Sequence, residues 1–244
     1  MGCALFCKNT RGGGTSAQTP TTMPTDKQLR DAWSTIITPE DYEAHMAAVG
    51  QAQANASLVA EYLEAHPPSR HASLLFAGAG TGQMFDYISP EILLPYNVTF
   101  ADINAGYLNR LRARVARTPG LCYATVVDDL ERTTLTRQFD VVLAVLVLEH
   151  IDWRPALSTL CSLAARELFL ILQQNPENLV TSMTPTAQIP KTMQVFTRIH
   201  PQLIPRADLE AEARQNKLTR CYARERVVAD DKKMLALAFN RDTR

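Results

Sequence analysis

Four stretches of this chain hold residues whose type and spacing could do chemistry. The first is Gly78-Ala79-Gly80-Thr81-Gly82, directly after the apolar run Leu74-Leu75-Phe76. A glycine-rich turn at a strand end lets backbone approach a ligand where any side chain would obstruct it. The spacing is GxGxG, and Gln83 stands where the dinucleotide fingerprint needs its third glycine, which counts against a nicotinamide or flavin enzyme. A tight strand-to-helix turn with no ligand has the same composition. The second is Asp102, 20 residues beyond Gly82, where a carboxylate can accept hydrogen bonds from the two hydroxyls of a ribose. Asp102 and Asn104 are also both good helix-capping residues. The third is Asp128-Asp129, an acidic pair after an apolar run, either member of which could accept from the exocyclic amine of adenine or simply cap a turn. The fourth is His150, closing the run from Phe139; a histidine can take a proton from a hydroxyl near neutral pH, or cap the next turn.

The elements that would position these residues alternate short apolar runs with helical ones, the pattern of a parallel sheet with crossover helices. Leu74–Phe76, Asn97–Ala101, Cys122–Val126, the continuously apolar Phe139–Val145 and Leu168–Leu172 read as five strands. Pro205–Lys217 reads as a helix, and Thr219–Val228 and Lys233–Phe239 as a hairpin turning at Ala229–Lys232. The fold class is α/β, a doubly wound, mostly parallel sheet of seven strands with an antiparallel C-terminal hairpin. Ahead of it, a helix near Asp26 presents Leu29, Trp33, Ile36 and Ile37 on one face, and a second helix runs from about Pro39 to Ala65. Residues 1–25 are rich in Gly, Thr, Ser and Pro and read as a flexible leader.

These strand-end sites, taken in order, resemble the class I S-adenosylmethionine-dependent methyltransferases, in particular the type 11 group acting on small molecules. The resemblance covers roughly residues 69–241. It implies a Rossmann-like methyltransferase domain over 69–244, S-adenosylmethionine as cofactor and S-adenosylhomocysteine as product. The cofactor would lie against Ala77, Gly78, Ala79, Gly80, Gly82, Asp102, Ile103, Asp128, Asp129, Leu130, Val145 and Leu146. The glycine loop would pass under the methionine half, Asp102 would hold the ribose, and Asp128 or Asp129 would face the adenine. One departure stands out: the family usually carries Glu or Asp at the place of Phe76, where it helps hold the methionine ammonium. Backbone carbonyls near Ala77 or a polar group of the N-terminal helices would have to replace it.

Two stretches could close the site. Residues 26–68 would form an N-terminal helical lid, bringing Trp33 and Tyr42 to the acceptor, and in similar enzymes such a region covers the cofactor. The insertion 175–205, with five prolines, Phe196 and His200, is too long for an ordinary connection and reads as a binding loop. Methyl transfer needs mainly alignment and desolvation, so a base is optional; His150 is the first candidate and His200 the second.

Lys and Arg balance Asp and Glu at 25 each, which favours a small or neutral acceptor over nucleic acid. The five cysteines lack paired CxxC spacing, so no metal site is expected and the chain reads as cytoplasmic. No apolar run is long enough to span a bilayer. Met1-Gly2-Cys3 has the start of an acylation signal, but Phe6 stands where the pattern wants Ser or Thr. The leading reading is a methyltransferase acting on O or N of a small molecule. A catalytically silent scaffold binding a protein partner and a macromolecular methyltransferase are the alternatives, with a nicotinamide oxidoreductase behind them.

Overall fold

Val, Leu, Ile and Phe runs too short for helices pair into one sheet with strand order β3-β2-β1-β4-β5-β7-β6. The strands are β1 (Ala72–Ala77), β2 (Tyr96–Asp102), β3 (Cys122–Val127), β4 (Phe139–Val145), β5 (Ala164–Gln174), β6 (Leu218–Val227) and β7 (Lys233–Arg241). The computed structural model describes residues 26–68, 71–176, 188–197 and 201–242. The pairs among β1 to β5 are parallel, and β7 is antiparallel to both β5 and β6. The sheet and hairpin are those the sequence implies, with β4 keeping its bounds and β5 extended at both ends.

Helices α3 (Gln51–Ala65), α4 (Ala105–Val115), α5 (Trp153–Leu163) and α6 (Arg206–Gln215) flank the sheet. Each face has its own apolar core, one centred on Leu157, Leu160 and Phe239, the other on Leu58, Tyr62 and Phe100. Central strands buried on both faces explain the unbroken apolar run of β4. Phe76 belongs to the second core, stacked on Phe100 at 5.4 Å and edge-on to Phe85 at 5.1 Å.

Three local features depart from the sequence pattern. The helix expected over 39–65 breaks at Gly50, whose φ of +67° ends α2 (Pro39–Val49) in the left-handed conformation that a residue with Cβ adopts at a cost. The stripe Leu29, Trp33, Ile36 and Ile37 is interrupted because α1 (Asp26–Asp31) continues as a π turn over Ala32–Ile36, with Ile37 N–H donating to Ala32 O. The wider turn buries Ile37 and leaves Ile36 45% exposed. Finally, the glycine loop leads not into an α-helix but into a 3-10 turn, Gln83–Asp86. Pro90 and Pro95 punctuate the segment before β2, and Ser89, ahead of Pro90, is extended as that position requires.

Candidate active site

Strand order reverses between β1 and β4, and open α/β sheets hold their ligands outside the carboxyl ends of the strands at such a point. A cleft of about 170 Å³ opens there. Ala77, at the end of β1, lies in register between Ala101 on β2 and Ala144 on β4, and the small side chains of Ala77 and Ala101 line the cleft. The glycine loop crosses above. Gly78 and Gly80 have φ of +68° and +59°, and a Cβ on Gly78 would collide with Val147, so glycine is required by both conformation and space.

Asp102 ends β2 inside this cleft. One carboxylate oxygen accepts from Gly80 N–H at 2.8 Å and the other from Asn104 N–H at 2.9 Å, so the acid fastens the glycine loop to the second strand. Burial pushes its pKa up to about 6 against the lowering effect of those two bonds. The capping role falls to Asn104 instead: its side-chain oxygen accepts from Gly106 and Tyr107 N–H at the start of α4, and its amide donates to Trp33 O at 2.9 Å. Asp128 accepts from Thr133 Oγ1, Thr134 N–H and Thr134 Oγ1, which closes the turn after β3. Asp129 caps the following 3-10 turn through Glu131 N–H and pairs with Arg30 at 2.6 Å.

The structure brings nearly all the expected cofactor residues to one cleft: Ala77, Gly78, Gly80, Asp102, Ile103, Asp128, Asp129, Leu130, Val145 and Leu146 line it. Ala79 and Gly82 line a smaller cavity next to it. Leu146 has φ of +54°, a left-handed conformation that costs a residue with a side chain about 1–2 kcal/mol. That strain turns the chain sharply out of β4 at the rim of the cleft.

Residues of both stretches expected to close the site meet at the opening. Trp33, Tyr42 and Phe196 line it, and Leu29, Ile37, Tyr107, Met193 and Phe196 form a third apolar cluster that joins the N-terminal helices to residues 188–197. The join is also polar: Asp41 accepts from Thr192 N–H at 2.6 Å and Thr192 Oγ1 at 2.7 Å, bonds that lower its pKa. Arg114 ties this lid to the glycine loop, reaching Glu43 at 3.0 Å and Thr81 O at 2.6 Å. His150 sits under the lid, 4.7 Å from Trp33 and 5.8 Å from Phe196 between ring centroids. His200 and residues 177–187 of the insertion lie outside the described residues, as does the leader.

Residues 75–167 match a family model described as a methyltransferase domain. The same fold occurs in magnesium protoporphyrin IX methyltransferase from Synechocystis PCC 6803 with bound S-adenosylmethionine, 17% identical over 88% of this chain and 90% of that one, with a TM-score of 0.61. The chain matches the methyltransferase-domain family over residues 75–167 and has the fold of these enzymes. The 1,6-didemethyltoxoflavin-N1-methyltransferase of Burkholderia thailandensis, crystallised with its acceptor and S-adenosylhomocysteine, is 15% identical with 86% and 93% of the chains covered and a TM-score of 0.56. Geranyl diphosphate C-methyltransferase from Streptomyces coelicolor A3(2) is 12% identical with 76% and 79% covered and a TM-score of 0.55. No curated protein matches the chain by sequence.

Sequence reasoning passed over several polar residues of the methyltransferase domain's cleft. Glu149 is 3% exposed; one oxygen accepts from Gln173 N–H at 2.8 Å, and the other has no partner among the described residues. Burial pushes its pKa up to about 7, whereas burial drives His150 down to about 3. The neighbour of the expected base is therefore the group that titrates near neutrality. An acid within the otherwise apolar run Val141–Leu148 and its sequel was the available signal. His45, held neutral by burial and by Lys232, and Gln51, which donates to Gln173 at 3.1 Å, also line the cleft. Nothing in the helical pattern of residues 39–65 set those two apart. Among the described residues no cluster could hold a metal, and no helix is long and apolar enough to cross a membrane.

Proposed function

We propose that this protein is an S-adenosylmethionine-dependent methyltransferase that transfers a methyl group to O or N of a small molecule. The observation that carries the reading is the cradle at the switch point: a glycine loop with no room for Cβ, fastened to a buried acid that ends β2. The residues fit the cofactor. Asp102 would hold the ribose hydroxyls while keeping its backbone bonds, since a carboxylate has about four acceptor sites. Ile103 and Leu130 would flank the adenine, with Asp128 or Asp129 toward its amine. Bound there, S-adenosylmethionine supplies a methyl carbon already activated by the sulfonium.

The chain's own residues would align the acceptor and exclude water. Trp33, Tyr42, His150 and Phe196 form an aromatic enclosure that suits a flat or apolar body, and unpartnered atoms on Trp33, His45 and His150 offer hydrogen bonds to it. A burial-raised carboxylate makes Glu149 better suited than His150 to take a proton, because catalytic efficiency favours a pKa near the working pH. The aromatic wall of the cleft favours a small acceptor over a macromolecule. On this reading residues 26–49 would act as lid, with α3 packed on the sheet of the methyltransferase domain and 175–205 as its insertion, in the cytoplasm. Incubation with methyl-labelled S-adenosylmethionine and a panel of phenols, N-heterocycles, RNA and protein tests this. Label in a phenol or heterocycle supports it; label only in RNA or protein refutes it.

A further inference from the structure

Next to the main cleft lies a second cavity of about 50 Å³, which shares Tyr42, Gly78 and Val145 with it. The two spaces therefore meet at the glycine loop. Phe76, Leu143, Ala52 and Met84 make the smaller one largely apolar, and no Asp, Glu, Lys, Arg or His is among the residues lining it. It nonetheless contains two amide side chains with unused oxygens. Asn55 Oδ1, on α3, and Gln83 Oε1, on the turn after the glycine loop, are both buried without a partner among the described residues. Gln83 donates its Nε2 to Glu43 O at 3.1 Å, which fixes which end of the amide is left over.

Buried carbonyl oxygens without donors are rare because each gives up its hydrogen bonds to water and gets nothing back. Two of them lining one small cavity, with no competing cation, mark a place for a compact group carrying several N–H donors. A primary ammonium has three and no acceptor. The lining offers no cationic side chain to hold an anion.

We infer that Asn55 and Gln83 together hold the primary ammonium at the amino-acid end of the cofactor, in the place left without an acid by Phe76. The inference rests on the reading of the main cleft as an S-adenosylmethionine site. With the adenosine over Asp102, an amino-acid tail passing Gly78 would enter the smaller cavity. Phe76 then serves the packing of Phe85 and Phe100, and the recognition duty moves from the sheet to α3 and the glycine turn. Neutral amides in place of a carboxylate make the contact ion–dipole, so a carboxylate introduced at Asn55 should tighten it.

The test is calorimetric titration of the full chain with S-adenosylhomocysteine and with its analogue in which hydrogen replaces the α-amino group. Wild type should bind the amino compound roughly tenfold tighter or more, the range of a charge-assisted hydrogen bond. Asn55→Leu and Gln83→Leu should each weaken it by about tenfold while leaving the analogue nearly unchanged. Asn55→Asp should bind S-adenosylhomocysteine more tightly than wild type and the analogue less tightly. Melting curves of each variant report folding separately, and the wild-type comparison needs no variant. Equal affinity of wild type for the two compounds would overturn the inference, as would equal losses for both in the variants; a cavity filled by water would give the first result. Failure of wild type to bind either compound would overturn the reading of the main cleft as well.

Discussion

The two rims of the cleft are built in opposite ways. On the β1–β2 rim, the buried acid is satisfied: both oxygens of Asp102 hold backbone N–H groups within the same loop system. On the β4–β5 rim, Glu149 has one oxygen bonded and one idle, the His150 Nδ1 atom has no partner among the described residues, and Leu146 is held in a strained conformation. An acid satisfied without ligand makes its part of the rim a preformed holder, although Thr81 Oγ1 and Gln83 Oε1 beside it have no partner among the described residues. A rim with unsatisfied polar atoms under an aromatic lid is organised for a ligand that completes it, and strain is tolerated where the surrounding packing enforces it. On the proposed function, the methyl donor would sit at the first rim and the acceptor at the second.

Breaking the holder should have the largest effect. Gly78→Ala adds about 1–2 kcal/mol of backbone strain and drives a methyl group into Val147, so it should cost more than a hundredfold in S-adenosylhomocysteine affinity and lower the melting temperature. Calorimetry and a thermal melt measure the two. Asp102→Ala removes the anchor of Gly80 and would remove the proposed ribose contact, and should weaken cofactor binding by about 1.5–3 kcal/mol. Because the Asp102 pKa is raised to about 6, wild-type affinity should also climb as pH rises through that value.

Acid and base titration can sharpen the contrast on the second rim. Folded Glu149, with its pKa raised from 4.5 to about 7, holds its proton more tightly than the unfolded chain does. Its contribution to stability is full below 4.5 and is lost as pH rises through about 7. Folded His150, lowered from 6.5 to about 3, behaves oppositely: its contribution is full above 6.5 and is lost as pH falls. Relative to wild type, Glu149→Gln should therefore gain stability as pH is raised, and His150→Gln as pH is lowered, each on the order of 2 kcal/mol. Melting temperatures across that range check the signs, and parallel curves for all three proteins would break the argument. The smallest effect is expected in the lid, where Asp41→Ala should speed amide hydrogen exchange at Thr192 and leave β1 and β2 unchanged.

The first rim was the more legible in the sequence, for a physical reason. Its parts are backbone conformations and strand-end residues, and these leave local marks: glycines with positive φ at Gly78 and Gly80, and an acid one strand later. The continuous apolar run of β4 likewise announces a strand buried on both faces. The second rim and the elements above it depend on side chains far apart in the chain, with Gln51 meeting Gln173 and Asp41 meeting Thr192, and no local pattern encodes such encounters. Local conformation also overrode periodicity in places, as at Gly50 and in the π turn that moved Ile36 out of its stripe. The resemblance to methyltransferases supplied the place of Phe76 and pointed to a polar group of the N-terminal helices, but the Ala-rich pattern around Asn55 gives that residue no distinction.

The most direct test of the account is calorimetric titration of the wild-type protein with S-adenosylmethionine and S-adenosylhomocysteine, with NAD and NADP as controls. One site of micromolar affinity for the first pair, and none for the dinucleotides, is the predicted result. Tighter binding of a dinucleotide, or no binding of either adenosyl compound, would contradict the assignment of the β1–β2 rim as a holder for the methyl donor.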